Sequence, residues 1–86
     1  MNKNFVSLSL SEKIKVLRIN KGLSQGELSR KSGVSVAEIC RIEKGERQNP
    51  SINLLNKLLE SLEVDKKTYL IVMGFNSKGN NGIKLS

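Results

Sequence analysis

Within the segment GVSVAEICRIEKGERQNPS, Gly33 to Ser51, the residue spacing predicts a short helix with two unlike sides. At about 100° per residue, Ile39 and Ile42 point one way. Val36, Ala37, Cys40, Arg41 and Lys44 fall on the broad opposite arc, with Glu38 and Glu43 at its flanks. That arc carries two positive charges, small apolar groups and no carboxylate. Such a set suits a DNA major groove. Arginine donates two hydrogen bonds to a guanine edge, small apolar groups meet a thymine methyl, and a carboxylate there is repelled by phosphate. The plainer reading is a lightly exposed patch, and these five residues alone do not decide between the two.

Other chemistry is scarce. The chain has no histidine and a single cysteine, which excludes Cys/His metal sites, His-based triads and an internal disulfide. No glycine loop followed by Lys-Ser/Thr is present to cradle a nucleotide phosphate, and GNNG at Gly79–Gly82 reads as a flexible tail. The carboxylates mostly have simpler roles as helix-start partners. No catalytic residue, metal or cofactor is expected, and an enzyme is not the expected reading.

The net charge is +7, from 15 Lys and Arg against 8 Asp and Glu. Such an excess favours polyanions, nucleic acid first, although it also serves solubility alone. The 86 residues suffice for one domain with tails, and a chain of this size buries only about 60–65% of its unfolded surface. No apolar run approaches the roughly 18 residues of a membrane span. The opening MNKNFVSLSLS is too short and too broken by serine for a signal peptide, so the expected location is cytoplasmic, with no membrane partner.

The elements that must position the arc are announced by repeated punctuation. Ser9-Leu10-Ser11-Glu12, Ser24-Gln25-Gly26-Glu27 and Ser35-Val36-Ala37-Glu38 each read S-x-x-E, the capping box at a helix start. Ser51 and Asp65 are weaker starts. Gly22, Gly33, Gly45 and Gly74 follow periodic segments and mark stops, whereas the fourth helix ends near Glu63 without glycine. Five helices are predicted, over about 10–21, 25–32, 36–44, 52–62 and 66–73. Leu10, Ile14 and Leu17 form one core-facing stripe, and Ile52, Leu55, Leu58, Leu59 and Leu62 another. The second helix is short and polar, with Leu28 as its main apolar residue. The last helix is apolar around most of its circumference, so Tyr69, Val72 and Phe75 are candidates for a homodimer contact. Residues 1–8 are expected to form an N-terminal arm, 9–74 the domain, and 75–86 a flexible polar tail.

The second and third helices are joined by the tight turn Lys31-Ser32-Gly33-Val34-Ser35, which makes them a helix-turn-helix candidate. Leu28, Val34, Ile39 and Ile42 are apolar where the two must meet. SQGELSRKSGVSVAEICRIEKGE resembles the helix-turn-helix of Cro/CI-type phage repressors and the XRE family of bacterial regulators. The Gln, the glycines, the apolar positions and the I-E-x-G ending fall in register, and the resemblance covers roughly residues 9 to 74. NPSINLLNKLLESLEV is similar to the family's fourth helix, and Gln48-Asn49 before Pro50 resembles its sporulation and biofilm regulators.

The resemblance implies a compact lambda-repressor-like bundle that docks its third helix in the major groove of double-stranded DNA. It implies a transcriptional regulator, usually a repressor, acting as a dimer on a near-palindromic operator. Gln25 matches a position that contacts backbone phosphate and braces the third helix. Ser35 caps that helix and would lie near a phosphate. Val36, Ala37 and Arg41 match positions facing base edges, with Arg41 the hydrogen-bonding reader or else a phosphate clamp. Cys40 stands where the family commonly has Ser, as a small interface residue or a redox-sensitive one. Arg18 and Glu43 match a pair tying the first helix to the third. Lys44, Arg47 and Asn49 are candidate phosphate contacts beside the groove. The alternative is an antitoxin or other protein-interaction module on the same fold, and a regulatory protein partner fits either reading.

Overall fold

The helices of this chain begin where a serine or aspartate oxygen accepts an otherwise orphaned amide proton. The computed structural model describes residues 4–47 and 49–74. A single 3₁₀ turn at Phe5–Ser7 is followed by α1 (Leu10–Asn20), α2 (Gln25–Ser32), α3 (Val36–Glu43), α4 (Ile52–Leu62) and α5 (Lys66–Val72). No strand occurs among the described residues, and the all-α, five-helix fold is the one expected. Three helices end one residue earlier than their spacing predicts, because Lys21, Lys44 and Met73 are the C-cap residues.

Ser9, Ser24, Ser35, Ser51 and Asp65 each accept a hydrogen bond from the backbone amide three residues on. At Ser9–Glu12 and Ser24–Glu27 the glutamate returns the bond and the capping box is complete. The third expected box is half made. Glu38 N–H donates to Ser35 Oγ at 3.1 Å, but the Glu38 carboxylate is taken by Arg41 and Arg47 instead. Charged donors bind a carboxylate more strongly than a neutral amide does.

Between α2 and α3 the chain reverses through Gly33 at φ 80°, a left-handed conformation natural to glycine. Glu63 ends α4 in the same region at φ 55° without being glycine. Its carboxylate lies 2.7 Å from the Lys21 ammonium and 3.8 Å from that of Lys31, which ties this cap to α1 and α2.

The core is aliphatic. Ile14, Leu28, Ile39, Ile42 and Leu58 are fully buried, and Leu10 and Leu17 pack against them half-buried. The α4 stripe is buried at Leu55, Leu58, Leu59 and Leu62, but not at Ile52, which is 66% exposed. Ile52 is the first residue of α4, and helical side chains lean toward the N-terminus, so it projects past the end of the bundle. Phe5, in the segment expected as an arm, packs against the core from the 3₁₀ turn, and Lys13 Nζ donates to the Leu8 carbonyl at 2.8 Å. The expected tail, 75–86, lies outside the described residues.

Candidate nucleic-acid interface

α2 is too short and polar to be stable alone. It is held because Leu28 is fully buried and the helix packs on both α3 and α4. Val34 in the turn and Ile39 and Ile42 on α3 complete the apolar contact where the two helices meet. With both isoleucines facing inward, the opposite side of α3 is left to solvent. Val36 is 44% exposed, and Ala37, Arg41 and Lys44 are exposed. Ser35 stands exposed at the start of the helix, and Cys40 is half-buried beside Arg41.

The far end of α3 is locked to α1. Arg18 Nε donates to Glu43 Oε2 at 2.7 Å and Arg18 Nη2 to Oε1 at 2.9 Å, a parallel fork between side chains that are only 12% and 4% exposed. Arg18 Nη1 also donates to the Leu23 carbonyl at 2.8 Å. The hydrogen bond to Glu43 holds the guanidinium pKa above its ordinary value. Gln25 joins this network, its side-chain amide donating to Glu43 Oε1 at 3.0 Å. One carboxylate on α3 therefore gathers the first helix and the start of the second, which fixes the angle at which α3 is presented.

After α3 the chain doubles back on Arg41. The amides of Glu46 and Arg47 both donate to the Arg41 carbonyl, at 2.9 and 3.2 Å. The Arg47 side chain then folds onto Glu38, pairing Nη2 with Oε2, while Arg41 Nη1 stands 3.5 Å from Oε1 of the same carboxylate. Glu38 is 13% exposed and serves both arginines. Its role was missed in the sequence, where it reads as a helix-start residue on the flank of α3. The available signal was its i, i+3 spacing from Arg41. Arg47, expected on a phosphate, is paired within the chain. Lys44 and Asn49 are exposed on either side of it. A groove of about 330 Å³ runs beside this cluster, lined by the Gly33–Ser35 turn, Glu38, Arg47 and the first turns of α4.

Of the residues expected at a dimer contact, Tyr69 and Val72 are described and both pack at the core. Val72 is 7% exposed and sits in this chain's own core, so it is not free for a second copy. The α5 register turns it inward, and α5 as a whole packs on α1. Tyr69 is half-buried, with its hydroxyl donating to Asn56 Oδ1. Phe75 lies outside the described residues. Leu70 and Ile71 are the half-buried apolar side chains that α5 adds to this region.

Two short helices at a glycine turn, the second braced from behind and carrying a basic and apolar outward face, define a helix-turn-helix domain. The Helix-turn-helix family model matches residues 14–67, and the chain belongs to this family as an XRE-type DNA-binding regulator domain. It is 38% identical over 61 residues to the HTH-type transcriptional regulator SinR of Bacillus subtilis (strain 168), covering 71% of this chain and 55% of that protein. It is 40% identical over 52 residues to the HTH-type transcriptional regulator SlrR of the same organism, covering 60% of this chain and 34% of SlrR. It is also 34% identical over 67 residues to the HTH-type transcriptional repressor RghR, again of Bacillus subtilis, covering 78% and 50%. The chain thus spans about half or less of the length of these relatives. No solved structure matches it. The family and these relatives are transcriptional regulators rather than enzymes, and this domain is not an enzyme. No described helix is long and apolar enough to cross a membrane.

Proposed function

We propose that this chain binds double-stranded DNA sequence-specifically by placing α3 in the major groove, and that it regulates transcription as a repressor. The observation that carries this is the outward face of α3. Val36, Ala37, Arg41 and Lys44 are exposed on it while Ile39 and Ile42 anchor the helix from behind. Arg41 is the hydrogen-bonding reader, and Val36 and Ala37 meet thymine methyls, with Cys40 packed close to the groove wall. Lys44 and Asn49 contact phosphates at one end of α3, with Gln25, bonded to Glu43, near a phosphate at that same end, and Ser35 lies near a phosphate at the other. The net charge of +7 supports backbone attraction, and the RghR relative's name as a repressor supports the direction of regulation.

The protein acts in the cytoplasm as a homodimer on a near-palindromic operator, its two copies reading half-sites about 34 Å apart or a multiple of that distance. The partly open apolar surface of α5, at Tyr69, Leu70 and Ile71, supports the dimer.

The test is a binding titration with DNA from upstream of the chain's own gene beside a scrambled duplex, at several salt concentrations. A strong preference for the upstream duplex and a steep salt slope are expected. Absence of binding to either duplex at low salt would overturn the DNA reading and favour a protein-interaction module.

A further inference from the structure

Among the described residues, Glu38 is the carboxylate set between the two arginines nearest the outward face of α3. Its two oxygens are not used alike. Oε2 is buried and meets Arg47 as a close ion pair without an aligned hydrogen bond, whereas Arg41 stands off Oε1 at 3.5 Å. The Arg47 main chain is also pinned, with its amide on the Arg41 carbonyl at 3.2 Å. Arg47 is thus held at both ends, and its side chain is 42% exposed against 57% for Arg41. The carboxylate itself is 13% exposed, and it leaves the Ser35 capping box half made in order to face these guanidiniums. A carboxylate so shielded from water keeps a close partner better than an exposed one does.

From this geometry we infer that Glu38 is a positioning residue that sorts the two arginines, holding Arg47 in the α3–α4 loop and leaving Arg41, its looser partner, available to read bases. The inference rests on the DNA-binding reading of α3 and deepens it. It has two consequences. Arg47 does not add a phosphate contact, so the sequence-independent part of binding is smaller than the local basic charge implies. The carboxylate also adds repulsion toward a misplaced backbone phosphate, which penalises any DNA on which Arg41 finds no base partner. Glu38 therefore raises the ratio of specific to non-specific affinity at some expense of total affinity.

The test is a set of variants, Glu38→Gln, Arg47→Gln and the double variant, each titrated with the upstream duplex and the scrambled duplex across a salt series. Glutamine, like glutamate, fits the third position of a capping box, so Glu38→Gln retains the fold, which circular dichroism checks. In Glu38→Gln, Arg47 is released to phosphate. The slope of log K against log salt is expected to steepen by about 0.9, the value of one added phosphate contact. Affinity for the scrambled duplex rises several-fold, and the specificity ratio falls. Arg47→Gln alone leaves the slope unchanged, and the double variant returns it to the original value. A purely structural role for Glu38 would lower binding to both duplexes together and leave the slope alone.

The inference is overturned if Arg47→Gln alone flattens the slope by about 0.9, because Arg47 would then be a phosphate contact despite Glu38. It is also overturned if Glu38→Gln changes neither slope nor ratio while the unaltered chain still prefers the upstream duplex. Failure of every form to bind any duplex at low salt would instead sink the DNA reading. The pairing itself is then judged by a double-mutant cycle on unfolding free energy, in which Glu38 couples more strongly to Arg47 than to Arg41, and equal or absent coupling removes it.

Discussion

Arg18 and Glu43 are joined by two parallel hydrogen bonds of 2.7 and 2.9 Å across 25 residues of sequence, and this fork sets α3 against α1. Both side chains are largely shielded from water, so removing one leaves an uncompensated charge. Glu43→Ala is expected to lower unfolding free energy by about 3–5 kcal/mol. Replacing both residues with apolar side chains of similar volume should lose much less. Urea unfolding of the single and double replacements measures the difference, and a single-variant loss below about 1 kcal/mol would show the pair to be a surface contact.

Leu28 is the fully buried side chain of α2, whose remaining residues are mostly polar. Leu28→Ala should cost about 2–5 kcal/mol and loosen α2 ahead of the other helices. Amide hydrogen exchange is the readout. Uniform loss of protection along the whole chain would show that α2 has no separate dependence on this residue.

Gly33 separates backbone strain from steric clash. Nothing lies within 4 Å of a Cβ built there, yet φ is +80°. Gly33→Ala is therefore expected to destabilise by about 1–2 kcal/mol through the left-handed conformation alone, with Gly33→Asn costing less. Equal losses in the two variants would point to some cause other than backbone conformation.

Arg41→Ala is expected to cost about 1–3 kcal/mol on the preferred duplex and little on a scrambled one, with circular dichroism unchanged. An equal loss on both duplexes would make Arg41 a phosphate clamp, the role the sequence alone leaves open for it.

Acid should weaken the fold through caps and the α4 terminus. Hydrogen bonding to Ser24 holds Glu27 below its ordinary pKa, the bond from Lys21 does the same for Glu63, and the bonds from Thr68 do so for Asp65. A carboxylate with a depressed folded-state pKa binds fewer protons folded than unfolded. Its contribution is complete above the ordinary values of 4.5 for Glu and 3.8 for Asp, and is lost as pH falls below them. The thermal midpoint should be flat above that range and decline below it. The combined variant Glu27→Gln, Glu63→Gln, Asp65→Asn should decline less, and an unchanged profile would exclude these groups as the cause.

The features legible in the sequence are mostly local ones. Helix starts are short-range hydrogen-bond chemistry, so Ser9, Ser24, Ser35, Ser51 and Asp65 mark all five helices without reference to the rest of the chain. The inward direction of Ile39 and Ile42, and with it the outward face of α3, follows from helical periodicity. The Arg18–Glu43 pair was legible only through family resemblance, because no local rule joins residues that far apart. Other features had to wait for the packing of the helices against one another. That packing turned Val72 into the core, left Ile52 outside it and seated Phe5 against it, since burial depends on which neighbouring helices cover a side chain. It also diverted Glu38 from its capping box to two arginines, because a charge answers to every donor that the fold brings within reach, including one from a loop beyond its own helix.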